Sequence, residues 1–171
     1  MTAYVALLRA VNVGGTGKLP MIELKAMCEA AGFERVRTYI ASGNVVFASS
    51  KSEDAVRSAI EDALERYAGR PVGVMVRTAA EMANTLKRNP FAERPGNRVV
   101  ALFVDGDIPG DALDHAKGVK DEEMALGQRE IFIFYGDGMA DSRLSIPAGK
   151  TGTARNMNTV AKLAEMAAAI D

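Results

Sequence analysis

Tyr4-Val-Ala-Leu-Leu-Arg-Ala-Val-Asn-Val-Gly-Gly-Thr-Gly-Lys-Leu-Pro20 is the stretch from which the fold is read. From Tyr4 to Val13 nearly every residue is apolar or small, without the alternation of a half-exposed strand. Such a run predicts a central strand covered on both faces. Arg9 is its misfit. Period-two geometry puts it on the face of Val5, Leu7 and Val11, where an unpaired charge is costly. It therefore pairs internally, lays its stem on the sheet with the head in water, or meets a ligand. Gly14, Gly15 and Gly17 open backbone angles closed to other residues, so several N–H groups can turn towards one point. Lys18 adds charge, and Pro20 suits the first turn of a helix. The loop is not a nucleotide-binding P-loop: Asn12 occupies the first glycine position and Leu19 the Ser/Thr position. Taken by itself, the loop reads as a plain strand-to-helix connection ahead of an anion cradle, because glycine-rich connections are common.

Outward from there, residues 20–31 read as a helix with Leu24, Met27, Cys28 and Ala31 on one stripe, closed by Gly32. Strands follow at 35–41 and 44–49, joined through Ser42-Gly43. Ser52 caps a second helix, with Glu53 and Asp54 in its first turn and Gly69 and Pro71 beyond its end. Residues 72–77 are another strand. Strand, helix, strand, strand, helix, strand is the ferredoxin-like order, an antiparallel sheet with both helices on one face. The second half repeats it less regularly. Thr78 and Glu81 have capping-box spacing for a helix ending before Asn89-Pro90. Strands are predicted at 98–105 and 130–135, a short helix within 108–118, and a closing helix starting at Thr153 or Asn156. The acidic, glycine-containing residues 106–128 predict a mobile, solvated surface. The fold class is thus α+β, two ferredoxin-like subdomains packed together: residues 1–78, and residues 79–171 with a C-terminal helix able to dock on the first.

Composition narrows function by exclusion. A chain of 171 residues with 48% hydrophobic content builds a packed interior, and a net charge of −1 exerts no global pull on nucleic acid or membranes. The N-terminus lacks a signal peptide's basic start, and no apolar run spans a bilayer. With Cys28 the single cysteine, no disulfide forms within the chain, which suits the cytoplasm. His115 is the single histidine, so a His-based zinc cluster is excluded and no metal or cofactor is called for. The RNA-recognition variant of this topology needs basic and alternating aromatic residues on its third strand. Ser42-Gly-Asn-Val-Val-Phe-Ala48 has one aromatic, so nucleic acid is a less favoured partner than a small anion.

Charge is unevenly spread. Residues 1–22, 35–52 and 142–164 contain no Asp or Glu but do contain Arg9, Lys18, Arg35, Arg37, Arg143, Lys150 and Arg155. In the last window Thr153, Arg155, Asn156 and Asn158 stand at a helix start, where orphan N–H donors and the dipole favour an anion. Capping by Thr153, Asn156 or Asn158 is the alternative. It rarely calls for Arg, two Asn and three Thr together, so binding is preferred. The candidate ligand-binding set is Arg9, Asn12, Gly14, Gly15, Lys18, Ser42, Asn44, Thr153, Arg155, Asn156 and Asn158. Its two parts meet only if the closing helix docks near the first strand.

Several of these segments also carry a resemblance. Tyr4-Val-Ala-Leu-Leu-Arg9 with Asn12-Val-Gly-Gly15, Lys18-Leu-Pro-Met21, Val36-Arg-Thr-Tyr39, Ser42-Gly-Asn-Val-Val-Phe47 and Thr153-Ala-Arg-Asn-Met-Asn-Thr159 resemble the bacterial family called domain of unknown function 1697. The resemblance implies two ferredoxin-like subdomains and no particular activity, so it supplies no catalytic residues. Three classes of function stay open: a binding module for a phosphate- or carboxylate-bearing ligand, an enzyme of group transfer or hydrolysis at the same place, and a protein-interaction module. The enzyme reading lacks a good base, Tyr39 and Ser42 being poor candidates.

Overall fold

The computed structural model describes residues 1–12, 18–136 and 139–170. The chain divides into two compact units, Met1–Met82 with Leu163–Asp171, and Ala83–Lys162. Each contains a four-stranded antiparallel sheet, and with four α-helices among the described residues the protein is α+β.

In the first unit β1 (Thr2–Leu8), α1 (Met21–Ala30), β2 (Glu34–Thr38), β3 (Asn44–Ser49), α2 (Glu53–Ala68) and β4 (Val74–Thr78) follow in the predicted order. The sheet order β2-β3-β1-β4 makes β1 central, and every residue from Ala3 to Leu8 is buried. Tyr4, Ala6 and Leu8 share one apolar cluster with Leu24 and Cys28 of α1 and Val56, Ile60 and Leu64 of α2. Burying each such aliphatic side chain is worth about 1.5–3 kcal/mol. Phe47 stacks on Phe33 at 4.4 Å inside that cluster, so it offers no face to a nucleic-acid base.

The helix ends follow their local chemistry. Ser52 Oγ accepts the Ala55 N–H at 3.2 Å, and left-handed Gly69 closes α2. At α3 (Ala79–Lys87), Thr78 N–H donates to Glu81 Oε1 at 3.0 Å and Glu81 N–H to Thr78 Oγ1 at 3.1 Å, the reciprocal capping box the sequence predicts.

The second unit holds β5 (Val99–Phe103), β6 (Glu123–Leu126), β7 (Glu130–Phe134) and β8 (Thr153–Asn156) in the order β6-β7-β5-β8. This is the strand order of the first sheet. In place of α1 and α2 it has 3-10 turns at Ala112–His115 and Pro147–Gly149. Two strands depart from the sequence reading. The segment expected to be a mobile surface contains β6, whose residues pair with β7 from Glu123↔Phe134 to Leu126↔Ile131. Edge pairing there supplies order that the acidic composition conceals. The segment read only as a helix start first runs as β8 alongside β5, and α4 (Met157–Ala168) begins after it. Among the described residues, no helix is long and apolar enough to cross a membrane.

Candidate functional site at the end of the first strand

Arg9 is not in the strand. β1 ends at Leu8, and Ala10 takes a left-handed φ of 55°, which breaks the alternation of side chains. Val11 consequently joins Leu8 in the helix-side cluster, while Arg9 is exposed, its stem lying along Gly73. The expectation that Arg9 shares a covered face with Val5, Leu7 and Val11 is corrected by that reversal. The arginine that the first sheet does bury is Arg77, 1% exposed, paired across the sheet with Val5.

Four chain segments meet at this end of the sheet. Leu8 N–H donates to Gly43 O at 2.8 Å, and Arg9 N–H to Gly73 O at 2.9 Å. Asn12 binds them together: its Nδ2 donates to Leu19 O at 2.8 Å and to Ala41 O at 2.7 Å, while its Oδ1 accepts Leu19 N–H at 2.7 Å. One amide thus joins residues 12 and 19 and ties both to the β2–β3 turn. Asn44, fully buried, holds that turn from within, donating to Tyr39 O and Ser42 Oγ at 2.9 Å each. Gly43 has φ +90°, and a β-carbon there would lie 2.5 Å from Val11 Cγ2, so both conformation and packing demand glycine. Gly14 and Gly15 lie outside the described residues.

The backbone here is strained. Four described non-glycine residues have positive φ, and three of them belong to these segments: Ala10 (55°), Asn12 (55°) and Ile40 (50°). For a β-branched residue such as Ile40 that conformation is a genuine outlier, costing on the order of 1–3 kcal/mol. The electrostatics are one-sided too. Residues 9–12, 18–20, 39–44 and 70–73 contain no Asp or Glu, and they carry exposed Arg9, Lys18 and Arg70. Glu23, in the first turn of α1, is the next acid along the chain. Arg70 is absent from the sequence-derived set, because only the pairing of β4 with β1 brings it to this end of the sheet.

The other candidates belong to the second unit. Arg155 is 8% exposed, and its Nη1 donates to Thr153 Oγ1 at 2.8 Å and to Ala154 O at 2.9 Å. Burial pulls its guanidinium down to about 10 from the usual 12.5. Asn156 Oδ1 accepts Thr159 N–H at 2.9 Å, the capping alternative read from the sequence. Exposed Asn158 lies over Gly96, so close that a β-carbon on the glycine would sit 2.2 Å from its Oδ1. These side chains hold the β8–α4 junction. Cys28 is buried, and burial, followed by the neighbouring Glu29, pushes its thiol up to about 12, so it supplies no thiolate nucleophile.

Fold and site together define an α+β protein whose first sheet has ferredoxin-like topology and carries a strained, cation-bearing loop cluster at one end. Residues 1–132 match the family described as Protein of unknown function (DUF1697), and the chain belongs to that family. It is similar over 97% of its length to a solved structure described as conserved bacterial protein SP0830 from Streptococcus pneumoniae, with 25% identity, TM-score 0.79 and 98% of that chain covered. No curated protein matches the chain.

Proposed function

We propose that the protein is a cytoplasmic binding module for a small anionic ligand, held where β1 ends in the first unit. The observation that carries this reading is an acid-free group of segments bearing Arg9, Lys18 and Arg70 on a backbone that is left-handed at Ala10, Asn12 and Ile40 and strained at the alanine and the isoleucine. Cations clustered on segments that themselves contain no Asp or Glu raise the local concentration of anions. Strained backbone persists where surroundings over-determine it, and it clusters at ligand clamps. Arg9 and Lys18 make the charged contacts, Ser42 offers a hydroxyl, and Asn12 and Asn44 act as positioning residues through the backbone they hold. The proposed ligand is a phosphate ester or a carboxylic acid, because guanidinium and ammonium groups recognise such anionic oxygens with charge-assisted hydrogen bonds.

The test is a thermal-shift titration with nucleotides, sugar phosphates and dicarboxylates on the intact chain, alongside Arg9→Ala and Lys18→Ala. Both side chains are exposed, so neither replacement threatens folding. A ligand that stabilises the protein in proportion to its concentration, and does so less in each variant, supports the reading. Stabilisation that is unchanged in both variants, or none from any anion, overturns it.

A further inference from the structure

The two sheets differ in what covers the face carrying the connections. In the first unit that face lies under helices of 10 and 16 residues. In the second, 3-10 turns of 4 and 3 residues stand in their place. They leave a cavity of about 500 Å³ lined by Leu102 of β5, Ile133 of β7, Tyr135, Leu144 and Ile146, with Lys117 and Lys150 also in its wall. Leu102, Tyr135 and Leu144 are only half-buried, unlike the fully covered Tyr4, Ala6 and Leu8 of the first sheet.

The walls are built rather than incidental. Lys117 and Ser145 exchange both backbone hydrogen bonds, at 2.8 Å each, which sets a bridge along one side. Gly149 packs so near Leu102 that a β-carbon would come within 2.3 Å of its Cδ2. Protein ligand pockets run to roughly 300–1,000 Å³ and join an apolar lining to a few placed polar groups. An α-helix is about 10 Å across with its side chains, so a partner's helix would lie mostly outside this space. A small molecule fits it better.

We propose that the second unit binds a small amphiphilic anion, an alkyl or aryl chain ending in carboxylate or phosphate, with the chain over Leu102 and Ile133 and the head at Lys117, Lys150 and Ser145. The two lysines select the sign of the charge, and the apolar floor selects the chain. Burial, and after it the nearby Glu122, raises the Tyr135 phenol above its ordinary range. It remains a neutral hydroxyl at physiological pH, and the acid beside it directs the anionic head towards the lysines. This site is separate from the loop cluster of the first unit and stands or falls independently of it.

The test uses octanoate, octyl phosphate, octylammonium and acetate as probes, each titrated into the isotope-labelled full chain and followed by amide resonances. Shifts at residues 102, 133, 144–146 and 148–150 with the two long-chain anions, and none with octylammonium or acetate, are the expected result. The tighter of octanoate and octyl phosphate identifies the head group. The double variant Lys117→Ala/Lys150→Ala weakens binding about tenfold, since each exposed charge contributes a fraction of the contact energy. Ser145→Trp, which fills the cavity from an exposed position, abolishes it. Equal binding of octylammonium, shifts confined to other residues, or no response up to the solubility limit of each probe would overturn the proposal.

Discussion

Arg77 and Arg155 occupy the same position in the two sheets. Each lies in the fourth strand of its unit, opposite a residue of the central first strand, Val5 and Ala101 respectively. In each case Nη1 donates to the carbonyl of the preceding residue at 2.9 Å, Val76 O and Ala154 O. The next residue, Thr78 or Asn156, caps the helix that follows. The two units therefore share a strand–arginine–cap–helix device as well as a strand order.

That device predicts how the arginines respond to substitution. Removing a buried side chain leaves a cavity, whereas exchanging it for an apolar one of similar length also removes the desolvation cost of the charge. Arg77→Ala is expected to lower unfolding free energy by about 3 kcal/mol and Arg77→Met by about 1 kcal/mol or less. Arg155, whose burial already disfavours its charge, should show the same ordering. Urea denaturation of the four variants measures it, and an alanine variant as stable as its methionine counterpart would contradict the account.

Cys28 gives a prediction on the alkaline side. Its folded pKa is raised from the ordinary 9.0 to about 12, so the folded protein holds this proton where the unfolded chain has lost it. The stability this contributes is complete below pH 9 and declines as pH rises towards 12. In Cys28→Ala that part of the decline should vanish. A thiol reagent should also react with the native protein only at the rate at which the first unit opens. Immediate reaction under native conditions would show that the thiol is not enclosed.

Glu122 behaves in the opposite sense. The Ser142 hydroxyl, chiefly, and then the Lys120 N–H at 2.7 Å hold its carboxyl below the usual range. Its contribution is present above the ordinary carboxylate pKa and is lost as pH falls through the depressed value. Ser142→Ala should move the Glu122 titration back towards ordinary glutamate, read from its side-chain carboxyl carbon by NMR. An unmoved titration would assign the effect to the backbone donors alone.

The sequence reveals elements whose local and tertiary preferences agree. Ser52, the Thr78/Glu81 pair and the apolar run of β1 each carry their own signal, and the structure follows them. It conceals what depends on pairing. The short β6 and β8 are ordered by β7 and β5; β6 has only Met124-Ala125-Leu126 to mark it, and β8 has no apolar run. Arg9 illustrates the same limit from the other side, because periodicity places it only while the strand continues. One left-handed residue, Ala10, ends that continuity, and alanine gives no warning of it. The candidate site was legible in part: the asparagines stood out, but their structural work and the arrival of Arg70 follow from topology.

The strained cluster supplies the last prediction, which separates its stability from its proposed role. Asn12 contributes three side-chain hydrogen bonds and also sits at positive φ. Asn12→Ala loses both the bonds and a side chain tolerant of that conformation, and should cost about 2–4 kcal/mol. Asn12→Gly loses only the bonds and should cost about 1 kcal/mol less than the alanine change. At Ile40, half-exposed and β-branched, asparagine should relieve strain and raise stability by about 1 kcal/mol. Because asparagine keeps the left-handed backbone that isoleucine is forced into, Ile40→Asn should be more stable and bind the anion found for the first unit at least as tightly. Denaturation and ligand titration on the same variant read the two effects. A loss of affinity despite the gain in stability would show that the isoleucine side chain, and not the left-handed backbone, keeps the cations in place.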